Sequence, residues 1–311
     1  MSAFSDPLST DDFVLPFRVG ESAVRGRVVR LSGVIDDILS RHPLSDPVLA
    51  LIGQAACLVS MMGASLKFDG KLIFQAQGDG PVSLLVADFA ASGALRAMAK
   101  ETGEPVGKLS NAALLGKGHV VLTIDQGPDM ERYQGITPLD GATLSEAAVS
   151  YFDQSEQIPT AIRLAVGKIA SPGEPERWRA GGIMAQFVPG EGGVRERGEE
   201  VIMAPLDQEA WARAEAFVQS TQDDELLDPA ISAETLLYRL FHEDGVRVYD
   251  QQPVRAECSC TGEKIEAVLS RYSEEELADM VEDGAITVTC EFCRRDYLFD
   301  RRGARISSAS G

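Results

Sequence analysis

The stretch Cys258–Phe299, CSCTGEKIEAVLSRYSEEELADMVEDGAITVTCEFCRRDYLF, carries four of the five cysteines in the chain. They are spaced C-x-C, then 29 residues, then C-x-x-C. Four thiolates in two short pairs can close tetrahedrally on zinc, because each pair turns back on itself within one knuckle. In a reducing compartment such a cluster favours a metal site over a structural disulfide framework. A thioredoxin-type C-x-x-C opens a helix after a βα unit and has no second pair upstream, so the C-x-C here points to metal. The bland alternative is four unrelated buried cysteines. Cys258, Cys260, Cys290 and Cys293 are the expected ligands of one zinc ion.

Between the pairs, Ile265, Val268, Leu269 and Tyr272 suggest a short helix. Ser273 with Glu276 makes a capping box that opens a second helix, carrying Leu277, Met280 and Val281 and stopping at Gly284. Ile286–Thr289 reads as a strand delivering Cys290, and Tyr297–Phe299 as its return. A unit of roughly 50 residues with so few apolar side chains is marginal without its metal, so zinc should supply folding free energy. The last residues, Gly303–Gly311, are small and polar and are expected to fray.

Upstream lies an acidic segment. Glu191–Ser232 holds eleven acidic and three basic residues. Ala210, Trp211, Ala214, Phe217 and Val218 nevertheless fall at helical spacing behind Asp207, the expected N-cap. A second helix is expected over Ala233–His242, with Leu236, Leu237, Leu240 and Phe241 as its apolar stripe. Amphipathic pieces in an acidic linker should dock with modest stability, since charge repulsion opposes docking. A merely decorative helical linker fits these residues equally.

The first 190 residues mix strands and helices without βαβ repetition. Residues 13–31 are strand-like, most clearly Val24–Leu31, followed by a helix over Ser32–Ser40 and an apolar helix around Cys57. Leu66–Phe89 alternates around two Gly turns and reads as hairpin strands. A strand pair surrounds His119–Leu122 and Glu131–Gly135, a helix lies between Leu144 and Gln157, and strands cover Ile162–Lys168 and Ile183–Val188. The fold class is therefore α+β, with a mixed N-terminal domain (1–190), an acidic helical linker (191–253) and a small zinc-binding domain (254–311).

Composition excludes several functions. The 311 residues carry 48 acidic and 29 basic side chains, a net charge of -19. That disfavours phosphate backbones and anionic lipid, which need a positive face. Pro47–Leu66 is twenty residues without a charge, but it is diluted by Gly and Ser and lacks a flanking basic cluster. It reads as a buried helix rather than a membrane span. Residues 1–12 lack a signal pattern, so the expected compartment is the cytoplasm. Gly103–Ser110 has the outline of a phosphate loop, but three residues separate its glycines and Leu109 replaces the magnesium-binding hydroxyl. His42, His119 and His242 lack metal-hydrolase spacing, and Cys57 sits among apolar residues as a small hydrophobe. No enzyme site, catalytic residue or nucleotide site is expected.

Zinc-bound thiolates stay nucleophilic, and oxidation of both pairs would eject the ion. Cys258 with Cys260, and Cys290 with Cys293, are the natural partners because the metal already holds each pair together. The small domain would then unfold and the linker would lose its anchor, exposing apolar surface.

The cysteine pattern, preceded by TLLYRLFHEDGVRVYD (Thr235–Asp250), resembles the bacterial redox-regulated 33-kDa heat-shock chaperone family. LKFDGKLIFQAQGDGP (Leu66–Pro81), ERYQGI (Glu131–Ile136), YFDQSEQIPT (Tyr151–Thr160) and AGGIMAQFVP (Ala180–Pro189) agree with it in order. Residues 1–12 and the tail after Arg302 carry no distinctive match. The resemblance implies an ATP-independent holdase of the bacterial cytoplasm, inactive when reduced and zinc-bound. Oxidants together with unfolding conditions would drive two disulfides, zinc release, linker unfolding and homodimerisation. Unfolded clients would be held until reduction and passed to ATP-driven foldase chaperones. Two other readings compete: a static zinc-ribbon adaptor or nucleic-acid-binding protein without redox switching, and a thiol oxidoreductase.

Overall fold

The computed structural model describes residues 11–65, 69–103, 106, 107, 109–127, 130, 132–170, 173, 175–188 and 205–308. The acidic stretch 191–204 and the final residues 309–311 lie outside the described residues, as do 104, 105 and 108 of the loop-like 103–110 stretch. The chain divides into two units, Met1–Ala256 and Glu257–Gly311.

In the first unit, strands β1 (Phe13–Val19) and β2 (Val24–Leu31) form a hairpin, followed by helices α1 (Gly33–Ser40) and α2 (Asp46–Gly63). Strands β3 (Lys71–Gly78), β4 (Val82–Ala90) and β5 (Ala94–Glu101) make an antiparallel meander. Helix α3 (Asn111–Leu115) leads into β6 (Gly118–Asp125) and β7 (Tyr133–Pro138). Helix α4 (Leu144–Tyr151), opened by a Thr143–Glu146 capping box, runs into one π-helical turn, Phe152–Glu156. Gln157 ends that turn in the left-handed region. Strands β8 (Thr160–Ile169) and β9 (Arg177–Phe187) follow.

The segment expected as a linker packs within this same unit and holds α5 (Pro205–Ser220), α6 (Asp223–Leu227) and α7 (Ala233–Phe241), then the short strands β10 (Val246–Val248) and β11 (Gln252–Pro253), with β12 (Arg255–Ala256) after it. Helix α5 starts two residues before Asp207, so that residue lies inside the helix rather than at its cap; proline is favoured in a first turn, where its missing N–H has no partner to lose.

Two six-stranded sheets result. One runs β10-β1-β2-β9-β8, with β11 also on β1; the other runs β12-β5-β4-β3-β6-β7. Helix α2 lies between them, with Leu51, Ile52, Ala55, Leu58 and Val59 fully buried. It is apolar on nearly every side because both faces meet a sheet. The helix is long and apolar enough to cross a membrane, yet it forms the core of this unit. Gly53 lets it approach β8 closely, since a Cβ there would meet Val166 at 2.8 Å.

The other face of the first sheet is covered by the linker helices. Leu15, Phe17, Val28, Ile183, Ala185 and Phe187 of the sheet form a second core with Ala214, Val218, Leu226, Leu236, Leu237 and Phe241. The stripe expected on α7 is this contact, with Leu240 at its margin. Strand β5 was not expected. Its sequence ALRAMAKE is made of strong helix formers, and pairing between β4 and β12 with burial of Leu95, Ala97 and Met98 overrides that preference.

Candidate metal centre

In the second unit, α8 (Gly262–Leu269), α9 (Glu274–Asp279) and the antiparallel strands β13 (Ile286–Thr289), β14 (Asp296–Phe299) and β15 (Arg305–Ser308) surround a small core. Leu269, Leu277, Ile286, Tyr297 and Phe299 are its buried members. The expected fraying from Gly303 is corrected up to Ser308. Asp300 accepts from the N–H groups of Arg302 and Ala304, and the turn returns the chain along the free edge of β14. That strand is held by backbone hydrogen bonds, which composition does not register.

Local chemistry builds each cysteine knuckle. Thr261 caps α8 by accepting from the Lys264 N–H, and the Lys264 ammonium donates to the Ser259 carbonyl at 2.6 Å. Those contacts fold the Cys258–Cys260 segment against the helix start. Ser273 accepts from the Glu276 N–H at 3.3 Å while the Glu276 carboxylate accepts from the Ser273 N–H at 2.8 Å, the reciprocal box expected for α9. That helix ends at Asp279, before Gly284.

On the other side β13 delivers Cys290. Its N–H donates to the Arg295 carbonyl at 2.9 Å, and the Arg294 N–H donates back to the Cys290 carbonyl at 2.9 Å. Arg294 takes a left-handed φ of 56°, closing the second knuckle around Cys293. The Tyr297 hydroxyl donates to the Cys260 carbonyl at 3.2 Å and stands 3.2 Å from its sulfur, joining one knuckle to the strand that supports the other.

The four sulfurs of Cys258, Cys260, Cys290 and Cys293 lie within 4.8 Å of one another and are partly buried. Cys258 Sγ is 3.8 Å from Cys290 Sγ, and Cys260 Sγ is 3.3 Å from Cys293 Sγ. A tetrahedron with metal–sulfur bonds of about 2.3 Å has edges of about 3.8 Å, so the group could hold a thiophilic metal ion. Burial pushes the Cys293 thiol up to about 12, and a metal must displace that proton to bind. Burial, then the neighbouring Cys260, likewise raises the Tyr297 hydroxyl to about 12.

Cys57 is fully buried in α2, and burial pushes its thiol well above the usual range. His119 and His242 are exposed and His42 is buried; none belongs to the cysteine group.

Sequence reasoning missed one buried polar contact. Arg30, at the end of β2, is 1% exposed. Its guanidinium donates to the carbonyls of Glu225, Leu226, Asp228 and Ile231 around α6. Burial lowers its pKa to about 10. A basic residue on the inward phase of an apolar strand was the available signal, but its partners are backbone atoms and have no sequence signature.

A family model described as Hsp33 protein matches residues 12–300. The 33 kDa chaperonin of Caulobacter vibrioides is 48% identical over 302 residues, covering 94% of this chain and 96% of the relative. That of Escherichia coli O7:K1 is 33% identical over 279 residues, covering 89% and 88%. The crystal structure of the 33 kDa chaperonin from Thermotoga maritima aligns with a TM-score of 0.74 at 22% identity, over 94% of this chain and 96% of that one, a likeness of fold.

Proposed function

The chain belongs to the Hsp33 chaperone family, and from that premise we propose that it is an ATP-independent holdase switched on by oxidation of its four clustered cysteines. A chaperone of this family binds unfolded client proteins. The observation that carries the redox reading is the approach of all four sulfurs to within 4.8 Å at the base of a very small core.

Cys258, Cys260, Cys290 and Cys293 would hold one zinc ion in the reduced protein. Bound there, zinc supplies folding free energy that five buried side chains cannot, about 10–16 kcal/mol in small structural sites. With peroxide as oxidant, each thiolate pair gives up two electrons. One S–S bond forms, the O–O bond breaks, and two protons carry the oxygens away as two waters. Cys258 joins Cys260 and Cys290 joins Cys293, which consumes the donor set.

Residues 254–311 then lose their fold, and the linker (191–253), joined directly to them, loses the restraint at its C-terminal end. Its helices cover Leu15, Phe17, Val28 and Ile183, so their departure bares an apolar sheet face on the N-terminal domain (1–190). Two such faces favour a homodimer and the rest receives clients. Reduction restores the zinc site and passes clients to ATP-driven foldases. The protein acts by binding, without catalytic turnover, in the bacterial cytoplasm.

Light scattering from a thermally unfolding client tests this. Peroxide-treated protein should suppress scattering and the reduced zinc-loaded protein should not; equal behaviour of the two forms would refute the switch.

A further inference from the structure

On the sheet that carries the linker, the face opposite the linker helices holds a concentration of positive charge. Strand register places Arg247 of β10, Arg18 of β1 and Arg25 of β2 side by side. Residues directly opposite on neighbouring strands share a face, and like charges there oppose pairing. Arg27 follows on the same face of β2, opposite Pro16. The Tyr249 N–H donates to the Pro16 carbonyl at 3.0 Å, and the Arg247 guanidinium stands 5.5 Å from the Tyr249 ring centre.

Pro16, Arg18, Arg25, Arg27 and Tyr249 line a surface cavity of about 350 Å³. Arg18 is compensated, by the Glu21 carboxylate at 3.6 Å and by the carbonyls of Glu21 and Ser22. Arg25, Arg27 and Arg247 form no ion pair with any described residue. The Arg27 Nε is buried with no hydrogen-bond partner among the described residues, and burial works against its charge. In a chain of net charge -19, this face sets four guanidiniums, Arg18, Arg25, Arg27 and Arg247, against one paired carboxylate, that of Glu21, among the described residues. A buried cationic donor left unpaired is costly, and an oxyanion in the cavity would remove that cost. Guanidinium forks match phosphate oxygens in pairs.

We infer that the cavity between β1, β2 and Tyr249 is a binding site for a phosphate-type oxyanion, with Arg27 at its base and Arg25 and Arg18 as its walls. Inorganic phosphate chains and the phosphates of a nucleotide share this chemistry. A bound anion also offsets the repulsion between Arg247 and Arg18 and holds β10 on the sheet.

Calorimetric titration of the full-length reduced protein with inorganic tripolyphosphate at low salt tests the site, with orthophosphate and ATP as further arms. Saturable binding of one anion per chain is expected. Arg25→Gln, an exposed strand position, and Arg27→Gln should each weaken it at least tenfold. Amide exchange over Val246–Tyr249 should slow on saturation in the parent protein only. ATP binding no tighter than tripolyphosphate identifies a free phosphate chain, and tighter ATP binding identifies a nucleotide. Absence of saturable binding, or the same affinity in both variants, would overturn the proposal.

Discussion

The guanidinium of Arg30 donates to the carbonyl of Leu226, 196 residues further along the chain, at 2.7 Å. Three more carbonyls of α6 and the loop after it accept from it, and no carboxylate among the described residues does. A fully buried cation is thus held by the backbone of the element proposed to leave during activation. When that loop leaves, the cation regains water, which lowers the net cost of release. The same four bonds fix the position of the loop while it stays.

Arg30→Met should therefore loosen the linker. Hydrogen bonds to charged groups contribute about 1.5–3 kcal/mol, and the carbonyls left behind regain water, so a loss of about 2–4 kcal/mol in docking is expected. Amide exchange over Asp223–Phe241 should quicken by well over tenfold, while exchange in α2 stays slow. The variant should also respond to peroxide at lower temperature.

Gly181→Ala attacks the same contact without altering charge. A Cβ at Gly181 would lie 2.4 Å from the Leu226 carbonyl oxygen, a backbone atom that must move with its loop. A docking loss of about 1–3 kcal/mol is expected. Because both changes act on one loop, the double variant with Arg30→Met should lose less than the sum, measurable by denaturant titration.

Much of this arrangement was legible in the sequence, for reasons that differ by element. The cysteine knuckles, the Ser273–Glu276 box and the alternation in Val24–Leu31 are local signals, and each appears where its residues place it. Strand β5 and the final strand Arg305–Ser308 were not legible, because one contradicts its own propensity and the other is held by backbone pairing. The Arg30 contact was hidden for a third reason: its partners are carbonyls brought together only by tertiary folding.

The sulfur distances set up a test of disulfide connectivity. Cys260 and Cys293 are 3.3 Å apart across the two knuckles, close enough to compete with pairing inside each knuckle. Peptide mapping of the peroxide-treated protein by mass spectrometry should find Cys258–Cys260 and Cys290–Cys293. A dominant Cys260–Cys293 link would instead mean that the ligand geometry directs oxidation.

Cys57→Ala should leave the switch intact. The side chain is fully buried in α2, and burial keeps its thiol protonated and unreactive. The lost sulfur should cost about 1 kcal/mol and a few degrees of Tm. Peroxide sensitivity and metal content should match the parent protein; a lost response would make Cys57 part of the sensor.

Metal release and holdase activity can be followed in one cuvette, with a zinc-sensitive dye and light scattering from an unfolding client during peroxide treatment at mildly elevated temperature. One zinc per chain should leave as scattering is suppressed, with the same time course, and thiol reductant plus zinc should reverse both. Zinc loss without any suppression of scattering would contradict the coupling of the cysteine centre to client binding.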